Sequence, residues 1–563
     1  MKRLLSIFLA ALTALTAGAQ ILSVEGPRAP ALSVVVPRHK IPQYERADFG
    51  IILKGTWNNP YLQEEVTLDM VLTTPSGRTL ILPCFYVEGE SGGESRWAAR
   101  FTPQEKGRYT YRFQYAERGI PFAPAFPEDV FDVVDPSGHG ILHVNDNWTL
   151  RFDDGTLFRG VAENICWESR TNDDSKFFKA LHERHDKYNY DVMLPQFAAA
   201  GGNFCRLWMC SWNFPIDRHR DFNNLRYTES DEYFNPSAVA RLDHTVELGE
   251  SLGVHFMLCM GAGDVRTDRD FFVSDTAKAR YRNYLRYIVA RWGYSPAIGM
   301  WEFFNEIDNI QFRNERNPIP AADIVAWHAE MAAYLKSIDP FGHIVTTSIS
   351  HRDLEGLNDV KDIDINQKHI YRATSSIPET IVRYEAAHGK PYVIGEFSYE
   401  WDWSKNFDDF ADDMDLDFKR GLWYGLFSPT PITPMSWWWE YFENRGMVPY
   451  FRNVRYVSDR MLKSGKGAFE PMEVQADGAE AFAVRFGGIV YVYAYNPSSH
   501  PVSAIRIPAP AYALRIAPKV TSLDFAKNRF KGCRRIALSE GCLTIPVHLA
   551  PRSEVLFEIQ NFQ

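Results

Sequence analysis

Between residues 139 and 470, eight short apolar runs alternate with stretches whose apolar residues recur every three to four positions. No other feature narrows the possible folds as much. The pattern predicts strands over 158–162, 203–208, 255–260, 298–304, 343–348, 365–369, 392–395 and 433–438. Helices are predicted between several of them, over 237–252, 276–292, 322–338 and 377–388; the third places Ile324, Trp327, Met331, Leu335 and Ile338 on one face. Eight β–α alternations predict a (β/α)8 TIM barrel, a fold of about 250 residues before insertions. A doubly wound open sheet is the alternative, but its phosphate loop, GxGxxG or GxxxxGKS, is missing after the first strand.

The flanks have a different period. Residues 20–135 alternate apolar and polar positions, as in Val66-Thr67-Leu68-Asp69-Met70-Val71-Leu72, between turn clusters such as Asn58-Asn59-Pro60 and Pro75-Ser76-Gly77. This predicts an immunoglobulin-like β-sandwich. Residues 471–563, with Val490-Tyr491-Val492-Tyr493-Ala494-Tyr495, predict a C-terminal β-sandwich. The expected fold class is therefore multidomain α/β, a barrel over 139–470 between two sandwiches whose expected task is bracing.

Lys2 and Arg3, the apolar run from Leu4 to Leu15, and Ala17-Gly18-Ala19 predict a signal peptide over 1–19 and a secreted or periplasmic protein. The apolar run is shorter than the roughly 20 residues that span a bilayer. Net charge is −10, with 61 Lys+Arg against 71 Asp+Glu, the wrong sign for neutralising phosphates, so no nucleic-acid partner is expected. Oligomeric state is left open. The seven Cys are too few and odd in number for a disulfide scaffold. Cys533 and Cys542 could pair, and the others are expected as buried thiols. No HExxH or paired Cys spacing occurs, and neither a metal nor another cofactor is expected.

In a barrel of this kind the reacting groups sit at the C-terminal ends of strands. The fourth predicted strand runs into Asn305-Glu306 and the seventh into Gly395-Glu396-Phe397, so two carboxylates stand at the mouth. Glycoside cleavage uses such a pair, about 5–5.5 Å apart for retention and about 6.5–9.5 Å for inversion. Glu302 is expected to pair with a barrel cation, and Glu400 and Glu440 to be solvated or to meet substrate hydroxyls. Arg206, between Cys205 and Leu207, needs a carboxylate partner and is expected to find it at the mouth. Trp437 and Trp439 share a face of the strand, which is expected to line the barrel mouth, and His369 and Tyr371 share a side. Aromatic residues make up 14% of the chain. Trp208, Trp212, Trp301, Trp401, Trp403 and Trp437 to Trp439 are expected at strand ends, where flat apolar rings suit sugar faces.

The motifs Trp301-Glu302-Phe303-Phe304-Asn305-Glu306, Ile394-Gly395-Glu396-Phe397, His369-Ile370-Tyr371, Arg206 and Ser436-Trp437-Trp438-Trp439-Glu440 resemble the clan A glycoside hydrolases, most closely the cellulase-type family 5, over roughly 155–445. The resemblance implies Glu306 as acid/base and Glu396 as nucleophile. It further implies Asn305 on the sugar 2-hydroxyl, Arg206 and Tyr371 bonded to the nucleophile, and a strand-eight Trp, Trp437 or Trp439, stacked on the sugar; His369, on the side of Tyr371, is expected to bind substrate with it. One departure is Met260-Gly261-Ala262-Gly263-Asp264, where family 5 usually ends strand three in His. The N-terminal region, with Phe101-Thr102-Pro103 and Gly107-Arg108-Tyr109, looks like domain of unknown function 5060. Together these imply a secreted retaining β-glycoside hydrolase acting on a carbohydrate. The alternatives are a transglycosylase using the same pair and a non-catalytic carbohydrate-binding protein.

Overall fold

The computed structural model describes residues 21–24, 32–35, 38–122, 126–169, 185–220, 226–261, 267–465, 467–508, 517–532, 535–539 and 541–562 of the 563. The signal peptide expected over 1–19, residues 262–264 and Cys533 lie outside them. Among the described residues, no helix is long and apolar enough to cross a membrane.

Seven parallel strands form the centre: Ala162–Asn164, Phe204–Trp208, His255–Cys259, Ile298–Glu302, Ile344–Thr346 continuing as Ser348–Ile349, Asn366–Tyr371 and Tyr392–Ser398. Each pairs with its sequence neighbours. Parallel bridges from Ile432 to Gly160, and from Ser436 to both Glu163 and Phe397, join the last strand to the first, so the ladder returns to its start. Long helices connect the strands, and two of them begin at side-chain caps. Asn235 accepts from the backbone N–H of Ser237 and Ala238 ahead of Pro236–Leu252, and Ser274 from that of Ala277 ahead of Asp275–Trp292.

The ring interior is layered. Where the strands begin, Ala162, Phe204, Met257, Met300, Ile344, Val393 and Ile432 pack against Leu142, Leu150, Phe152 and Phe158. Those last four belong to a three-stranded antiparallel sheet, Leu142–Val144, Leu150–Phe152 and Leu157–Phe158, which plugs that end. The first expected ring strand, 158–162, is therefore two pieces: Phe158 ends the plug and Ala162 starts the ring. Between them Gly160 makes only the single bridge to Ile432, and the buried Arg159 guanidinium donates to the carbonyls of Leu426 and Thr430, both at 3.0 Å. The expected eighth strand over 433–438 is likewise reduced to the bridges at Ile432 and Ser436.

Residues 21–134 form two sheets around one core that includes Phe49, Leu68, Tyr109, Phe113 and Phe131. That core also takes in Tyr294 and Phe341 from the ring region, and Thr102 Oγ1 donates to the Tyr294 carbonyl at 2.7 Å. From 470 onward, two further sheets enclose Val492, Ile505, Ile545 and Phe557. They meet the ring where Tyr493 stacks on Trp423, centroids 5.7 Å apart.

Candidate active site

Above the apolar layer, the inward positions of the ring turn polar. Period-two alternation places Arg206 two residues beyond Phe204, Glu302 two beyond Met300, and Asn164 two beyond Ala162, all facing inward. Arg206 is fully buried, and its guanidinium is saturated. Nε and Nη2 donate to the two oxygens of Glu302 at 2.6 and 2.8 Å, Nη1 to Glu396 Oε1 at 2.6 Å, and Nη2 to Asn305 Oδ1 at 2.8 Å. Burial opposes its charge, but Glu302 and Glu396 hold it protonated well above the ordinary guanidinium value. Gln367 completes the layer, donating to Glu302 Oε1 at 3.2 Å.

Glu396 lies within its strand, which runs three residues past the expected end at 395. The ladder between the sixth and seventh strands slips there: Lys368 faces Ile394, and His369 faces Glu396. Gly395 takes up the extra residue, and a Cβ on it would lie 1.8 Å from Gln367 Oε1, so any larger residue there would have to displace the Gln367 side chain. The slip brings Glu396 level with His369. Tyr371 Oη donates to Glu396 Oε2 at 2.6 Å, with His369 Nδ1 3.3 Å from the same oxygen. Burial would raise the Glu396 carboxyl, yet His369, Arg206 and Tyr371 bring it below the usual carboxylate range. Burial and Glu396 push the Tyr371 phenol well up, so it stays a donor.

Glu306 follows the fourth strand in the left-handed region, φ 48°, where a side chain is rarely tolerated. Its backbone N–H donates to Ser348 Oγ at 2.9 Å. One carboxylate oxygen accepts from Asn309 Nδ2 at 2.7 Å, and the other lies 2.9 Å from His369 Nδ1. Its side chain is 19% exposed, against 4% for Glu396, so one carboxylate stands at the rim and the other on the floor. One oxygen of each, with a nitrogen of His369, lie within 4.8 Å of one another. Such a trio could ligate a metal, but Arg206 and Tyr371 already occupy both oxygens of Glu396. The three are better suited to sharing protons.

Burial would lower the His369 imidazolium, but Glu396 and Glu306 raise it to about 9. A histidine raised from an unfolded value near 6.5 adds stability below that pH and loses it as pH climbs through the folded value. The melting temperature should therefore fall between about pH 6.5 and 9, and fall less in a His369→Gln variant. Parallel curves for the two proteins would contradict the pairing.

The aromatic expectations divide. Trp167, which the sequence reading did not single out, centres a cluster with Trp208, Trp212, Trp437 and Trp439 at centroid distances of 5.1, 5.7, 5.6 and 4.8 Å. Trp437 is half-buried. Trp439 is 1% exposed and offers no free face, because Trp438 turns the chain at φ 66° and Trp439 opens a helix, Trp439–Asn444, instead of extending a strand. Strand alternation does not apply there. Trp301 points outward, its Nε1 donating to Asp339 at 3.4 Å, and takes no part in the mouth.

Glu302 has the expected cation, Arg206. Glu400 and Glu440 are not solvated; both are buried. Cys84, Cys166, Cys205, Cys210 and Cys259 are buried as expected. Asn164 and Gln367 escaped the sequence reading, although Gln367 stands two residues before His369 on one strand, which period two would have flagged.

Residues 40–116 match the family described as Domain of unknown function (DUF5060). Over 251 residues the chain is 23% identical to mannan endo-1,4-β-mannosidase A of Podospora anserina, covering 38% of this chain and 65% of that protein. Over 232 residues it is 35% identical to probable mannan endo-1,4-β-mannosidase F of Emericella nidulans, covering 37% and 46%. The chain thus spans less than two thirds of either relative. Among solved structures, a candidate glycoside hydrolase from Bacteroides vulgatus superposes with a TM-score of 0.63 at 14% identity, over 93% of this chain and all of that one, a likeness of fold.

Proposed function

We propose that this chain is a secreted retaining β-glycoside hydrolase, exported by residues 1–19, whose parallel ring is a (β/α)8 catalytic barrel between an N-terminal immunoglobulin-like sandwich and a C-terminal one. The observation that carries the reading is the separation of Glu306 and Glu396. One oxygen of each lies within 4.8 Å of the other, which supports the close spacing of about 5–5.5 Å that direct attack uses over the about 6.5–9.5 Å of inversion.

Glu396, ionised and held by Arg206 and Tyr371, attacks the anomeric carbon, while Glu306 protonates the departing oxygen. A water deprotonated by Glu306 then releases the sugar from Glu396. His369 Nδ1 lies between the two carboxylates and can return a proton to Glu306. Asn305 spends its carbonyl oxygen on Arg206, which turns its amide N–H2 toward the cleft as a donor for the sugar 2-hydroxyl. Trp437, half-buried like Trp212 of the same indole cluster, offers a sugar-stacking face.

The named relatives make β-1,4-mannan the first polysaccharide to test, beside β-glucan and xylan. Glu306→Ala should lower kcat on the cleaved polysaccharide by roughly 10²–10⁴, the usual worth of a general acid. The same variant should lose far less in forming the glycosyl-enzyme from a 2,4-dinitrophenyl β-glycoside, whose leaving group needs no proton. Equal losses on both would contradict the role.

A further inference from the structure

The loop after the seventh strand carries the two exposed tryptophans among the described residues, Trp401 at 53% and Trp403 at 74%. Exposed indoles forgo burial, and two of them two residues apart on one rim call for a reason. The loop is not slack. Glu400, its side chain 6% exposed, accepts from the backbone N–H groups of Trp401 and Asp402 at 2.9 and 3.0 Å, from Arg372 Nε at 2.8 Å, and from Lys405. Burial opposes ionisation, but Lys405 and Arg372 bring this carboxyl down to about 2.

Arg372 also stacks its guanidinium 5.1 Å from the Trp401 ring. It is the residue after Tyr371, holds φ 62°, and donates its backbone N–H to the Ser398 carbonyl at 3.0 Å. Trp438 Nε1 in turn donates to the Glu400 carbonyl at 2.7 Å. Trp401 is thus fixed beside the strand ends that carry Tyr371 and Glu396, and Trp403 stands exposed two residues further along the same loop.

We infer that Trp401 and Trp403 form a distal glycan-binding platform, which receives pyranose units of a long chain beyond the sugar being cleaved. Flat indole faces meet the C–H faces of the sugars, and the half-exposed heads of Arg372 and Lys405 offer donors to their hydroxyls. Because Glu400 holds the loop in place before ligand arrives, little ordering remains to be done on binding. The inference rests on the proposed glycosidase reading and adds to it a preference for long chains.

The test compares wild type with Trp401→Ala/Trp403→Ala on mannohexaose and on 4-nitrophenyl β-mannoside. The ratio of kcat/KM on the hexasaccharide to that on the aryl glycoside should fall at least about tenfold, mainly through KM, and Trp401→Phe/Trp403→Phe should restore most of it. An unchanged ratio, or equal loss on both substrates, overturns the platform. If wild type cleaves neither substrate, the mannan reading fails separately, and the platform is read by affinity electrophoresis in gels of soluble mannan, β-glucan or xylan. Retardation that the double Ala variant loses supports it; identical mobility in every gel overturns it.

Discussion

Glu396→Gln should fold normally and lose turnover by at least about 10⁴-fold, roughly 5.4 kcal/mol of transition-state stabilisation. Glutamine keeps the shape and leaves a carbonyl oxygen for Arg206 Nη1, which now meets Glu396 Oε1 at 2.6 Å. What disappears is the negative charge that, in the proposed mechanism, forms the bond to the anomeric carbon. Glu396→Gly leaves the nucleophile's place empty. Added azide should then restore activity and give a glycosyl azide of inverted configuration, because one displacement replaces two. Turnover near the wild-type rate in either variant, without azide, would remove Glu396 from the reaction.

The second large effect is expected at Arg206. Its guanidinium is the cation between two buried carboxylates, Glu302 and Glu396, and removing one member of a buried ionic group leaves the others uncompensated. Arg206→Met should cost about 3–5 kcal/mol of stability, with activity lost as well. Because the damage is electrostatic, Arg206→Met/Glu302→Gln should recover a measurable part of the stability that the single variant loses, giving a coupling outside additivity. Arg206→Lys is the finer probe. An ammonium cannot serve Glu302 through two bonds while also holding Glu396, so kcat should fall even where the melting temperature is largely kept. Additive effects in the double variant would mean that Glu302 and Arg206 do not depend on each other.

Much of this site was legible because it obeys local rules. Asn305-Glu306 and Gly395-Glu396 stand out as carboxylates at the ends of apolar runs, and Arg206 as a charge that no apolar strand can hold alone. That it meets Glu396 was implied by the family resemblance alone, and that it is also the cation expected for Glu302 was not legible, because that depends on how strands two, four and seven align around the ring. The slip at Gly395 sets that alignment and appears in the sequence only as a glycine. Trp439 and the strand over 433–438 misled for one reason: a single left-handed residue, Trp438, converts a strand pattern into a helix start.

Glu400 misled in the opposite sense. Its position beyond a strand suggested a side chain that is solvated or meets substrate hydroxyls, whereas Arg372 and Lys405, 28 residues before and five after it, enclose it. In the plug at the start of the ring, the run over 158–162 read as one strand because four of its five residues are small or apolar. The division shows only in the pairing, which joins Phe158 to Leu150 of the plug and Ala162 to Phe204 of the ring.

The central claim is that Glu396 bonds covalently to the sugar during the reaction. Incubating the mature protein with a 2-deoxy-2-fluoro β-mannosyl fluoride, whose second displacement is slow, and measuring intact and peptide masses tests it directly. The account predicts one added fluoro-mannosyl group, carried by the peptide containing Glu396 and absent from Glu396→Gln. A label on any other residue, or wild-type protein that cleaves mannan to an inverted product without taking up a label, would contradict it.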